Sequence, residues 1–290
     1  MSFAEATELY LAETSARNPT QPPNTTKQPP ETSARNPIQS PSTSYVGEIQ
    51  PGWDIVGNAN GGYLMSLFAR AALLDSARPD IISVSAHFLA PGKPGSVEAL
   101  VTPIKDGKRF NTSRVELGTS TRTYLSGTVI TGDLDQGEGP ELITTSAPQI
   151  AKPDDCIRVV ASGSFPPPFS DRIDQRLDPT TTMDAKPGPV VRGWMRLLDD
   201  EPIDVLTLVL ASDSQPPTVF NTDLEPNWVP TVQMTVHIRQ RPKTKWLLLN
   251  SETRFVSGGM FEVDNTVFDE EGHILAHSRQ LQLLGLAHTP

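Results

Sequence analysis

Two glycines follow Asn60 at the start of a segment whose apolar residues have helical spacing. Glycine has no Cβ, so the N–H groups at such a helix N-terminus are open to a developing oxyanion or to the carbonyl oxygen of a bound substrate. Close packing of the helix on a sheet accounts for the same two glycines equally well. We therefore take Asn60, Gly61 and Gly62 as candidate substrate-binding residues, with helix packing as the alternative.

Other common catalytic motifs do not occur in the sequence. It contains no GxSxG nucleophile elbow, no P-loop and no HExxH motif. Cys156 follows Asp154 and Asp155, whose negative charges would raise the pKa of its thiol and oppose a thiolate nucleophile. His273 and His277 alone are a weak basis for a metal site. We expect neither a metal nor a cofactor.

The charge balance and the hydropathy exclude two large classes of protein. The 290 residues include 24 Lys and Arg against 34 Asp and Glu, a formal net charge of −10, so the general attraction of nucleic-acid binders to phosphate is absent. No run of about 18 apolar residues could form a membrane-spanning helix. With a single cysteine and no signal-like start, we expect a cytoplasmic protein that neither binds nucleic acid nor spans a membrane.

The chain repeats its own hydrophobic pattern after about 150 residues. The alternating segment Ser83–Gly92, with His87 near its end, has the same pattern as Thr231–Pro242, with His237 near its end. In both copies three further strand candidates follow, separated by turn residues that are typical of hairpins. Each copy therefore predicts an antiparallel meander.

One helix candidate precedes each meander, Gly61–Asp75 in the first copy and Pro202–Ser212 in the second. The second candidate also has the apolar, β-branched composition of a buried strand. Asp200 as an N-cap, with Pro202 near the first helical position, favours the helix. Two copies of a helix followed by a meander predict an α+β protein of double hotdog architecture, in which each of two tandem sheets wraps its helix.

Proline and a local duplication mark the irregular parts of the chain. The sequence ETSARNP occurs at Glu13–Pro19 and again at Glu31–Pro37, and Arg17–Thr43 has almost nothing to bury, so we expect it to be disordered and Glu13–Thr43 to be dispensable. Before it, apolar residues from Phe3 to Tyr10 have helical spacing. The predicted organisation is an N-terminal helix and Pro-rich insertion (1–43), a first hotdog domain (44–131), a Pro-rich linker (132–187) and a second hotdog domain (188–290).

Several segments resemble a known family in their order and spacing. Three segments resemble the first half of the type II acyl-CoA thioesterases, which are double-hotdog proteins: Gly57–Leu74, Ala86–Gly92 and Lys105–Leu117. Four further segments resemble the second half of these enzymes: Trp194–Arg196, Leu210–Asp213, Pro230–Arg239 and Ala276–Gln280. The family's catalytic Asp, Thr and Gln would then be Asp213, Thr231 and Gln280. The resemblance implies hydrolysis of an acyl-CoA or acyl-carrier-protein thioester by a water that these residues activate.

The residue types at these positions fit the implied roles. A carboxylate at a helix C-terminus faces the negative end of the helix dipole, which together with partial burial would raise the pKa of Asp213 towards that of a useful base. Strand alternation places Thr231 on the polar face of its strand, away from the hydrophobic side. The Gln280 amide could donate to an oxyanion and accept from water, although its strand is polar on both faces. On residue type alone, a solvent-exposed position is the commoner explanation for all three.

The basic turn between two predicted strands is a further candidate for substrate binding. Because CoA carries phosphates, Lys105, Lys108 and Arg109 could anchor it, whereas most basic hairpin turns are simply solvated. Two other functions remain open, since a fold does not fix a reaction. They are hydration, dehydration or related chemistry on a thioester-bound acyl group, and acyl binding without catalysis. A homo-oligomer is also left open.

Overall fold

The structure, a computed structural model, describes residues 1–12, 41–137, 139–162, 165–224 and 226–286. Both ETSARNP copies lie outside these residues, and so does most of the stretch that the sequence predicts to be disordered. In the described part the helices are α1 (Phe3–Ala6), α2 (Gly61–Leu74) and α3 (Val205–Ala211). The strands are β1 (Leu9–Leu11), β2 (Thr43–Ile49), β3 (Asp54–Ile55), β4 (Asn58–Ala59), β5 (Asp80–Phe88), β6 (Gly95–Asp106), β7 (Asn111–Gly118), β8 (Thr123–Gly132), β9 (Ile157–Arg158), β10 (Ile173–Leu177), β11 (Val190–Leu197), β12 (Pro226–Trp228), β13 (Thr231–Ile238), β14 (Leu247–Glu252), β15 (Val256–Ser257), β16 (Met260–Phe268), β17 (Ile274–Leu283) and β18 (Gly285–Leu286).

One continuous antiparallel sheet joins the two copies of the repeat. Its strand order is β1-β2-β6-β7-β8-β5-β13-β17-β16-β14-β11-β10-β9, and the two halves meet where β5 pairs with β13. The register runs from Gln233 opposite His87 to His237 opposite Ser83. Helices α2 and α3 pack on each other and on this sheet. The prediction of an α+β double hotdog with continuous sheets is confirmed.

The long helix α2 is buried because it is apolar on nearly all sides. Tyr63, Leu67 and Phe68 are fully buried, and the Asn60 side chain caps the helix by accepting a hydrogen bond from the Tyr63 N–H at 2.9 Å. An isolated helix of this composition would expose a large apolar surface, so its stability comes from the surrounding sheet. The predicted helix over Gly61–Asp75 is confirmed to within one residue.

The second helix is shorter than predicted and begins later. Asp204, and not Asp200, is the N-cap, and it forms a capping box with Thr207. Asp199 and Asp200 have φ values of 56° and 53°, so the chain turns sharply there and Pro202 lies outside the helix. The strand-like apolar composition is overruled because all seven residues of α3 are buried beneath the sheet as a capped helix.

The N-terminal segment packs on the body, but only its first part is helical. Phe3 and Ala6 of α1 are buried, and the chain then forms β1, which pairs with β2. The Glu201 carboxylate accepts hydrogen bonds from the Phe3 and Ala4 N–H groups, both at 2.7 Å. The helix predicted from the spacing of residues 3–10 is therefore wrong beyond Ala6, because Tyr10 lies at an exposed position of strand β1.

Two boundaries of the irregular stretches also differ from the prediction. Thr43 opens β2 and pairs with Val101, so the stretch predicted to be disordered extends one residue too far. The Pro-rich stretch ahead of the second copy contributes β9 and β10 to the edge of the sheet, where β10 pairs with β11. Ile173 at the start of β10 is buried, which explains why this part of the stretch becomes ordered.

We predict that residues 13–42 can be replaced by a short Asn-Gly turn without loss of stability. Leu11 lies opposite Tyr45, and the Ala12 N–H donates to the Ser44 carbonyl at 2.9 Å. The residues that flank this segment on either side are therefore already paired like the two strands of a hairpin. Thermal unfolding should show a melting temperature within about 2–4 °C of the wild-type value, the shift expected for about 1 kcal/mol.

Removal of residues 1–12 is the matched control for this replacement. It should lower the melting temperature clearly, because Phe3, Ala6 and Leu9 are buried. If the turn replacement lowered the melting temperature as much as this truncation, the replaced residues 13–42 would contribute to stability and the prediction would be wrong.

Candidate active site

The Asp213 carboxylate lies where the C-terminus of α3 meets the N-terminus of α2. Its Oδ2 accepts hydrogen bonds from the Gly62 N–H at 2.8 Å and from Asn60 Nδ2 at 3.3 Å. Its Oδ1 accepts from Gln280 Nε2 at 2.7 Å. Asn60 Nδ2 also donates to the Asp213 backbone carbonyl at 3.0 Å. The positive end of α2 therefore stabilises a carboxylate that follows directly after the other helix.

The two glycines of α2 allow this close approach of the helices. A Cβ on Gly62 would lie 2.7 Å from the Leu210 carbonyl oxygen of α3, and a Cβ on Gly61 would lie 2.6 Å from Asp213 Oδ2. The packing alternative from the sequence therefore applies: Gly62 packs against α3, and Gly61 also lies against Phe88 of β5. The Gly62 N–H donates to Asp213 Oδ2, and the substrate-binding role predicted for Asn60, Gly61 and Gly62 stays a prediction.

Gln280 connects Asp213 to Thr231. It is buried on the inner face of β17, and its Nε2 donates to Asp213 Oδ1 at 2.7 Å and to Thr231 Oγ1 at 2.6 Å. An amide nitrogen carries two protons, and both are engaged in these bonds. Both N–H groups of Gln280 are thus engaged in this arrangement, and its role as a donor to an oxyanion stays a prediction. The structure does bring together the three residues that the resemblance singled out.

The position of Thr231 depends on a β-bulge that strand alternation did not predict. Thr231 lies opposite Gln282, but Gln233 lies opposite Leu281, so β13 has one extra residue at Val232. A bulge of this kind shifts the side-chain alternation by one residue. Thr231 therefore lies on the inner face beside Gln280, and the prediction that it points away from the hydrophobic side is wrong.

The same bulge occurs in the first copy of the repeat. Ile81 lies opposite Thr131 and Ser83 opposite Ile130, which again leaves one extra residue, 150 positions before Val232. The copies therefore share backbone geometry as well as hydrophobic pattern. At the positions that correspond to Thr231 and Gln280, the first copy has Ile81 and Val129, which are both buried and apolar.

Burial raises the pKa of Asp213 from 3.8 to about 6. Hydrogen bonds from Gln280 and from the Gly62 and Gly61 backbone act in the opposite direction, because they favour the ionised carboxylate. The direction agrees with the expectation from sequence, with burial as the main cause. A carboxylate with this pKa is ionised at neutral pH, yet binds a proton more readily than an ordinary aspartate.

Asp213 opens into a pocket of about 310 Å³ between the two halves of the chain. Most of its wall is apolar, contributed by Ile55, Leu64, Phe88, Leu89, Ala90 and Pro91 from the first half and by Pro216, Pro217, Trp228, Val229, Pro230 and Val263 from the second. Thr231, Gln280 and Gln282 lie at the pocket beside Asp213. Gln282 is not among the site residues predicted from the sequence, although it lies two residues after Gln280 and therefore on the same face of β17.

The basic turn lies far from this pocket. It joins β6 to β7 where Asn111 pairs with Thr131, and Thr131 pairs with Ile81 near the start of β5. The pocket is at the other end of β5, near Phe88, roughly 23 Å away along the strand. Lys105, Lys108 and Arg109 are therefore not brought together with Asp213, and their role as phosphate anchors stays a prediction.

Two titratable groups that the sequence singled out, Cys156 and His273, lie outside the residues that line the pocket. Burial raises the pKa of the Cys156 thiol to about 11, with Asp178 and Asp155 adding to the shift. His273 is paired with Asp269 at 3.0 Å. Across the described ranges, no group of three or more His, Cys, Asp and Glu side chains could hold a metal ion. No helix in the same part of the chain is long and apolar enough to cross a membrane.

Family models match both halves of the chain. Residues 49–132 match the acyl-CoA thioesterase N-terminal domain, and residues 153–284 match the acyl-CoA thioesterase C-terminal domain. The chain belongs to the acyl-CoA thioesterase family. This membership agrees with the resemblance found in the sequence and with the double hotdog fold.

Several proteins are similar to this family member over most of their length. An uncharacterized protein of Mycobacterium tuberculosis is 26% identical over 265 residues, which cover 83% of this chain and 90% of that protein. The crystal structure of a Thermobifida fusca protein, described as a candidate thioesterase II, has a TM-score of 0.79 at 29% identity and 98% coverage of both chains. A hotdog-fold protein of unknown function from Alicyclobacillus acidocaldarius also has a TM-score of 0.79, at 19% identity and 98% coverage of both chains, and supports the fold alone.

We predict that Gly62→Ala destabilises the protein by about 1–3 kcal/mol, the usual effect of overpacking. The new Cβ would lie 2.7 Å from a backbone oxygen of α3, so the two helices would have to move apart. Gly137→Ala is the matched control, because its nearest neighbour would be 3.8 Å away and its φ is −73°. Urea unfolding of both variants tests the prediction, and equal effects would contradict it.

Proposed function

We propose that this protein hydrolyses acyl thioesters, with Asp213 as the base that takes a proton from the attacking water. The observation that carries the proposal is the hydrogen-bonded series from Asp213 through Gln280 to Thr231 at the wall of a mostly apolar pocket. Family membership supports thioester chemistry in general, and the apolar wall suits an acyl chain carried by CoA or by a carrier protein.

In this mechanism the Asp213 carboxylate acts directly on the water. Its Oδ1 accepts one hydrogen bond, from Gln280, and therefore keeps a lone pair for a proton. As the water oxygen bonds to the thioester carbon, one water proton moves to Asp213. The C–S bond then breaks, and the proton on Asp213 goes to the leaving sulfur. The products are a carboxylic acid and a thiol, with no covalent bond to the protein.

The N-terminus of α2 favours negative charge throughout these reaction steps. In the resting state the charge is on Asp213, which accepts the Gly62 N–H. When Asp213 takes the proton, the charge moves to the former carbonyl oxygen in the same pocket, where Gly61 and Asn60 are also part of the wall. Charge therefore moves over a short distance within the field of one helix terminus, which keeps the cost of its redistribution small.

We predict that Asp213→Asn lowers the rate of thioester hydrolysis by about two orders of magnitude or more, because an amide cannot take the proton. The protein should be at least as stable as wild type at neutral pH, since an amide is cheaper to bury than a carboxylate and the Gln280 amide can reverse to accept from it. Thr231→Ala should lower the rate less, by about tenfold, because orienting a water is a smaller effect than removing its proton.

The measurement is steady-state thiol release from acyl-CoA thioesters of increasing chain length, alongside thermal unfolding. Asp106→Asn is the matched control, because Asp106 is exposed at the end of β6, far from the pocket. Full hydrolysis by Asp213→Asn would contradict the mechanism. A wild-type protein that binds acyl-CoA without releasing thiol would favour hydration, dehydration or simple binding of the acyl group.

We also predict that kcat/KM rises with pH through about 6 and is constant above it. Only the ionised Asp213 can accept a proton, and its pKa is about 6. The folded-state pKa lies above the ordinary value of 3.8, so the contribution of Asp213 to stability is largest at low pH and is lost as pH rises through about 6. A pH series of kcat/KM on wild type tests this, and a midpoint near 4 would show that the titrating base does not have the raised pKa.

A further inference from the structure

Gln282 is a buried polar residue beside Asp213, Thr231 and Gln280 in the wall of the pocket. It is only 5% exposed, it faces the pocket from β17, and it lies opposite Thr231 in the strand pairing. Its Nε2 is 3.5 Å from Thr231 Oγ1, while its Oε1 has no hydrogen-bond partner within the described residues. An apolar side chain of the same length would fill this position without leaving a buried polar atom unpaired.

The two glutamines together determine what the Thr231 hydroxyl can do. A hydroxyl oxygen has two lone pairs and one proton. Gln280 Nε2 lies 2.6 Å and Gln282 Nε2 lies 3.5 Å from the Thr231 oxygen, so two amide nitrogens are placed to donate to its two lone pairs. Thr231 then acts towards the pocket as a donor. The longer contact is weak in this state, and such bonds commonly tighten once a substrate is bound.

We propose that Gln282 is a positioning residue, which holds the Thr231 hydroxyl with its proton directed at the reacting water. The inference rests on the proposed function, in which Thr231 binds that water. The orientation that places Nε2 next to Thr231 leaves Oε1 unpaired. An arrangement that sacrifices stability in this way is typical of a residue kept for function.

Because Gln282 acts only through Thr231, the decisive experiment is a double-mutant cycle. Gln282→Met keeps the length and removes the donor, and it should lower kcat about fivefold, the effect of losing about one ordinary hydrogen bond, with KM unchanged. Added to Thr231→Ala, it should cause no further loss. Gln282→Glu should rescue nothing, since a carboxylate would accept the Thr231 proton and turn it away from the water.

Stability and a matched control separate this role from a structural one. Gln282→Met and Gln282→Leu should melt no lower than wild type, because both remove a buried oxygen that has no hydrogen-bond partner in the described part of the chain. Gln233→Met is the control: Gln233 is on the neighbouring strand, but its amide bonds to Thr235 and Ser85 on the other face of the sheet. Its kcat should equal that of wild type.

Several results would overturn the inference. They are an unchanged kcat in Gln282→Met, losses that multiply in the double variant, or a fall in melting temperature in both the Met and the Leu variant. Asp213→Asn is measured in parallel, so that the two proposals fail separately. If Asp213→Asn retains hydrolysis, the proposed function is wrong. If Asp213→Asn is inactive while the losses of Gln282→Met and Thr231→Ala multiply in the double variant, only the role of Gln282 is wrong.

Discussion

Burial of one carboxylate between two helix ends is the constraint on which the rest of the site depends. Asp213 can be ionised there only because backbone and amide N–H groups surround it, and these come from α2 in the first half and β17 in the second. The helices must approach within the reach of a hydrogen bond, which requires Gly62 where α2 meets α3. The pairing of β5 with β13 sets the two halves side by side. Neither half alone contains the complete site.

The order of elements could be predicted from the sequence because it depends on patterns that recur along the chain, whereas the site was predicted through the resemblance to a family. Alternation and turn residues predicted the meanders, and the two helix candidates followed from spacing and composition. The resemblance to a family named Asp213, Thr231 and Gln280, which the structure brings into contact. Residue types alone did not distinguish these three from exposed residues of the same kind. Long-range contacts between sequence-distant groups supply that distinction.

The failures have local backbone causes that a fixed period cannot represent. The bulge at Val232 changes the face on which Thr231 lies, and the turn at Asp199 and Asp200 moves the start of α3. One signal of the bulge was present in the first copy, where Ile81 and Ile82 are adjacent and interrupt the alternation of that strand. Transferred by the offset of 150 residues, this interruption predicts the bulge beside Thr231. An internal repeat can thus reveal geometry that the sequence of one copy indicates and that of the other does not.

Fusion of two copies in one chain also allows them to differ. The first copy keeps the bulge but has Ile81 and Val129 where the second has Thr231 and Gln280, so its equivalent position is packed and not polar. A dimer of identical units would have to carry the same residues twice, and would bury two carboxylates. Here the first copy instead contributes the N-terminus of a 14-residue helix, whose positive end offsets the burial of a single carboxylate in the second. In the proposed mechanism the tandem arrangement therefore divides the work, with charge stabilisation from one copy and proton transfer from the other.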